Sequence, residues 1–104
     1  MSRGTARQIE LRKLFNVLCP HAAYADAQPI LEAAAVKKLK ALPPSIALWL
    51  ATVTHIRHRL TEYDKLLNEG YDRDAARHFT RAKINEVLRS WGCAREVGEK
   101  DQEP

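Results

Sequence analysis

The stretch Arg57-His58-Arg59-Leu60-Thr61-Glu62-Tyr63-Asp64-Lys65-Leu66-Leu67-Asn68-Glu69-Gly70-Tyr71-Asp72-Arg73-Asp74-Ala75-Ala76-Arg77 decides how this chain folds. Gly70 suits the position just past a helix end, and Asp72 suits the position that opens the next helix. A turn this short predicts two helices that run antiparallel and pack side by side. The same stretch places arginines, a histidine, a tyrosine and an aspartate where the helical pattern asks for apolar residues. Polar groups on a buried face are costly unless paired, so the cluster needs a reason.

Upstream, Ile46, Trp49, Leu50, Val53, Ile56, Leu60, Tyr63 and Leu67 recur at steps of three and four. That spacing predicts one long helix from about Ser45 to Glu69, unless it breaks near Thr61, where Thr61-Glu62-Tyr63-Asp64 could restart a helix as a cap. Downstream, Ala76, Thr80, Ile84, Val87, Leu88 and Trp91 predict a helix from Arg73 to Trp91, closed by Gly92. Trp49 and Trp91 fall on these apolar stripes and are read as core. Nearer the start, Ile9, Leu14, Phe15 and Leu18 predict a helix from Ala6 to Leu18, capped by Thr5 and ended before Pro20. A further helix is expected from Asp26, as its cap, to Leu42, with Pro29 in its first turn and Pro43-Pro44 as its stop. The expected fold is all-α: a small domain of four helices over residues 1–93, the last two forming the hairpin. Residues 94–104 are charged and poor in apolar groups and are expected to be a disordered acidic tail.

Residue totals set the bounds. A chain of 104 residues is one small domain with a thin core. Its formal charge is +4 with a pI near 9.3, mildly basic and with no dedicated basic arm. No apolar run approaches the roughly 20 residues that a membrane span needs, and no secretory signal is recognisable. A cytoplasmic protein is expected, with Cys19 and Cys93 as reduced thiols and no membrane partner.

At about 100° per residue, Arg57 and Asp64 lie on the flank of one stripe, and Arg73 and Arg77 on the stripe that later carries Ile84 and Leu88. The hairpin register sets Arg77 opposite Asp64, where a guanidinium and a carboxylate can pair bidentately. Two readings follow. The cluster is either a clasp that fixes register, or a site whose spare positive charge, with His58, Thr61 and Tyr63, holds an anion near a helix N-terminus.

Other motifs are weaker. His55 and His58 are spaced for two metal ligands, but a site needs three or four, so no metal is expected. His55 is instead read as solvated and His58 as hydrogen-bonded to a neighbour. Cys19-Pro20-His21 lacks the geometry of a nucleophile–base pair, and the four glycines stand apart from any phosphate loop. No cofactor and no catalytic residue is assigned.

The run His55-Ile56-Arg57-His58, then Thr61, Tyr63-Asp64, Leu66-Leu67, Gly70, Arg73, Ala76-Arg77, Val87-Leu88 and Trp91 resembles domain-of-unknown-function family 2293. The resemblance is strong over residues 50–91. It is looser over Cys19-Pro20 and Ile30-Leu31-Glu32-Ala33. The chain departs from the pattern at Val36 to Pro44, where relatives can carry a Gly/Arg-containing stretch. The resemblance implies no activity. It supports treating Arg57, His58, Thr61, Tyr63, Asp64, Arg73 and Arg77 as one unit.

The expected function is therefore a small module that binds an anionic partner, nucleic acid first, without reading bases. The alternative is a protein-interaction module or homodimer in which the polar cluster is purely structural. An enzyme using His58 and Asp64 ranks third.

Overall fold

The computed structural model describes residues 5–98. Within them lie five α-helices, one 3-10 helix and no strand, so the all-α expectation holds and the four-helix count does not. The helices are α1 (Ala6–Leu18), α2 (Tyr24–Ala34), α3 (Pro44–Leu60), α4 (Tyr63–Asn68) and α5 (Arg73–Ser90).

The start of α1 follows from a reciprocal cap. Thr5 Oγ1 accepts from Gln8 N at 3.1 Å while Gln8 Oε1 accepts from Thr5 N at 2.8 Å. Leu11 and Phe15 are the fully buried positions of α1, while Ile9, Leu14 and Leu18 are half-buried beside them.

The expected second helix is cut short. It begins at Tyr24, with Ala23 offering no side-chain cap and Asp26 inside the first turn. Pro29 therefore sits within the helix, where its missing N–H leaves the carbonyl of Ala25 without its usual donor. After Ala34 the chain becomes extended at Val36 and re-coils as a 3-10 helix, Lys37–Ala41. The cause is tertiary. Arg7, on α1, donates to the carbonyls of Leu39 at 3.1 Å and Leu42 at 2.8 Å, while Leu39 and Leu42 tuck against the core. No local signal carries that contact.

The expected long third helix is two helices. α3 stops at Leu60 and α4 restarts at Tyr63. α3 is the central element: it packs against α1, α2, α4 and α5. Ala47, Leu48, Trp49, Ala51, Thr52 and Val53 are all buried, so its first half is covered on more than one stripe. Thr52 tolerates this because its hydroxyl donates to the Leu48 carbonyl at 2.7 Å. Ile46, read as part of the stripe, is exposed in the first turn.

α5 forms as expected. Asp72 accepts from Ala75 N at 2.8 Å, and Ala76, Thr80, Ile84 and Leu88 are buried, with Trp91 just beyond the helix. Gly70 and Gly92 hold positive φ, 103° and 79°, as helix-closing residues should. The segment after Gly92 differs from the expected tail. Val97 is buried, and Asn85 grips its backbone at both ends, accepting from Val97 N at 2.7 Å and donating to Val97 O at 3.1 Å. Arg95 lies over Trp49, 4.0 Å from the ring centre. The rest of the expected tail, from residue 99, lies outside the described residues. No described helix is long and apolar enough to cross a membrane.

Candidate anion-binding corner

Thr61 makes the corner. Its backbone is extended, and its hydroxyl works in two directions: it donates to the carbonyl of Arg57 in the last turn of α3 and accepts from Tyr63 N, 3.1 Å away, at the start of α4. One side chain thus ends one helix and opens the next. The consequence is that Arg57, His58, Tyr63 and Asp64 cluster at the joint, where a continuous helix would have spread them along its length.

Arg57 is the centre. Its residue surface is only 6% exposed, and Nε is buried without a hydrogen-bond partner. The guanidinium stands 5.6 Å from the centre of the Tyr63 ring, a cation–π distance, and Tyr63 is itself buried. Arg77, on α5, is 7% exposed. Burial first, then the positive charge of Arg77, hold the Arg57 guanidinium below the usual arginine range; Tyr63 opposes the shift and Arg73 adds to it. Three arginines from α3 and α5 therefore feel one another across the joint. Arginine keeps its proton all the same, so the corner holds desolvated positive charge.

Asp64, which the register set opposite Arg77, pairs with His58. Its Oδ1 lies 2.8 Å from His58 Nδ1, with the two side chains 59% and 45% exposed. The break at Thr61 is the physical reason: it turns the start of α4 back towards the end of α3. His58 also meets Tyr63 edge-on, ring centres 5.2 Å apart. His58 is thus hydrogen-bonded to a neighbour, as read from the sequence. A carboxylate on Nδ1 favours the tautomer that leaves Nε2 as an acceptor, the form a general base uses.

Five of the residues singled out in the sequence meet at this corner: Thr61 builds the joint, Arg57 and Tyr63 stack inside it, and His58 and Asp64 pair on its rim, while Arg77 and Arg73, on α5, act on Arg57 through their charge. His55 departs from expectation. It is not solvated: Nε2 contacts Asp26 Oδ1 at 2.9 Å, with the histidine 11% exposed, tying α3 to α2. The partners are far apart in sequence, so no local pattern announced them. Among the described residues, no group of three or more His, Cys, Asp or Glu is placed to hold a metal ion.

Comparison with known proteins fits this picture. No curated protein and no solved structure matches the chain. One family does, over residues 11–92, which takes in α2 to α5, most of α1 and every residue of the corner. The chain belongs to that family, described as Uncharacterized conserved protein (DUF2293).

Proposed function

We propose that this chain is a binding module for an anionic partner, with nucleic acid first in rank, and that Arg57, His58, Thr61, Tyr63, Asp64, Arg73 and Arg77 form its contact corner. The observation that carries this reading is the burial of the Arg57 guanidinium, its Nε without a hydrogen-bond partner, beside the positive charge of Arg77. A purely structural core gains little from such a guanidinium, because a desolvated charge without a partner opposes folding. A phosphate group reverses the balance: it supplies the negative charge and accepts guanidinium N–H groups in the planar geometry that arginine offers. The carboxylate of the cluster, Asp64, is engaged by His58 and leaves Arg57 to an outside anion.

Such contacts are with backbone phosphates and carry no sequence information, so binding should follow shape and charge. The test is an amide-resolved NMR titration with a short RNA duplex at low and at physiological salt. Salt-sensitive shifts centred on Arg57, His58, Arg73 and Arg77 are expected. For three phosphate contacts the affinity should drop about ten- to fiftyfold between roughly 50 and 200 mM salt. Shifts absent at both salts, or an affinity indifferent to salt, would contradict the proposal.

A second reading, a protein-interaction module, is favoured by one observation. Tyr71 and Phe79 are exposed and meet edge-on, ring centres 5.6 Å apart, and His78 also meets Phe79. Exposed aromatic clusters of this kind anchor protein partners. Light scattering that shows a concentration-dependent dimer abolished by Phe79→Ala would support it.

A further inference from the structure

The chain has only two cysteines, Cys19 and Cys93. Cys19 closes α1 and Cys93 follows α5, and both are buried in the same apolar cluster. The backbones around them are stitched together: His21 N donates to the Trp91 carbonyl at 2.9 Å. Gly92 presses so closely on this strand of chain that a Cβ there would stand 2.8 Å from His21 Nδ1 and 3.1 Å from Pro20 Cγ. The two thiols are neighbours in that cluster, and Cys93 Sγ lies 3.4 Å from the Arg95 carbonyl. Burial pushes the Cys19 thiol up to about 12, and the neighbouring Cys93 sulfur adds to the rise.

We propose that Cys19 and Cys93 are a modification site, a dithiol that a small disulfide such as oxidised glutathione converts to an intramolecular disulfide. Cys93 is the entry point. It sits in the irregular segment 93–98, which Asn85, the Arg95–Trp49 contact and the exposed Arg89–Glu96 pair hold in place, whereas Cys19 is fixed to the end of a helix. When that segment lifts, the Cys93 thiol loses its proton to solvent and its thiolate attacks a sulfur of oxidised glutathione. A mixed disulfide forms and one glutathione thiolate leaves. Cys19, deprotonated in turn, attacks the Cys93 sulfur and expels the second glutathione thiolate. The protein loses two electrons and two protons, and the two released glutathiones carry the electrons. Closed, the bond ties the end of α1 to the segment after α5 and locks the apolar end of the domain. While the 93–98 segment is in place, the high Cys19 pKa keeps its thiol protonated, so weak or brief oxidation leaves the pair reduced.

The experiment is intact-mass spectrometry of the native full-length chain after incubation with oxidised glutathione, with thermal melts of the same samples. Expected is a monomer lighter by two hydrogens, with no glutathione attached, reversed by dithiothreitol and melting several degrees above the reduced form. Cys19→Ser and Cys93→Ser should not form this species, and Cys19→Ser should hold a glutathione adduct on Cys93. Asn85→Ala, which frees the 93–98 segment, should speed closure several-fold. Wild-type protein that stays fully reduced, keeps the glutathione adduct or forms only disulfide-linked dimers would overturn the proposal. An unchanged closure rate in Asn85→Ala would overturn the gating role of the segment.

Discussion

The two ends of the α3–α5 seam are buried to similar depth by opposite means. At one end Trp49, Val53, Leu88, Trp91 and Val97 exclude water with apolar surface. At the other, Arg57 and Arg77 exclude it with charge, each as hidden as Trp91. Apolar burial stabilises a domain at roughly 25 cal/mol per Å². Burial of the Arg57 guanidinium, whose Nε has no hydrogen-bond partner, does the reverse unless an anion joins it. The difference teaches that depth of burial does not reveal what a residue contributes: the tryptophan end holds the fold, and on the proposed reading the arginine end serves an outside anion.

Substitutions can break this comparison, taken from the largest expected effect. Trp91→Ala removes a buried indole from the apolar end and should cost about 3–5 kcal/mol by chemical denaturation. A loss below about 1 kcal/mol would mean that this end does not hold the fold. Thr61→Ala removes both hydrogen bonds at the joint and should cost about 1–2 kcal/mol. Its amide spectrum should change around Tyr63 and Asp64 more than around Trp91. Asp64→Ala should cost less than about 1 kcal/mol, since its partner is the exposed His58. Had Asp64 paired with a buried arginine, the loss would have been larger, and a melt lowered by many degrees would restore that picture.

The apolar end also has a pH signature. Cys19 has a folded-state pKa of about 12 against an ordinary 9.0. An acid whose pKa is raised by folding favours the folded state while it stays protonated. Its contribution is present below about pH 9, where both states hold the proton, and declines from 9 towards 12 as the unfolded thiol ionises first. Under reducing conditions, stability should fall across that window, and Cys19→Ser should show a shallower fall.

How legible each end was follows from the range of its contacts. α1 and α5 were readable because their caps, Thr5 with Gln8 and Asp72 with Ala75, lie within three residues of one another. α2 was misread because Arg7 reaches across to Leu39 and Leu42, a contact without a local trace. α3 was read as one helix because the apolar stripe runs unbroken from Trp49 to Leu67; Thr61 interrupts it through a side-chain bond that periodicity does not register. The membership of the corner was legible, since residue types at odds with the stripe marked it. Its pairing was not, because a register drawn for an unbroken helix sets Asp64 against Arg77 rather than His58. The Asp26–His55 and Cys19–Cys93 neighbours could not be found from spacing at all.

The central claim is that the buried arginines serve binding at the expense of folding. Chemical denaturation of Arg57→Met beside the wild type, without any anionic ligand, tests it most directly. Methionine keeps much of the volume and removes the desolvated charge, so the variant should unfold at the same denaturant concentration as the wild type or at a higher one. A loss of more than about 2 kcal/mol would show that Arg57 holds the joint together and that the corner is a structural clasp.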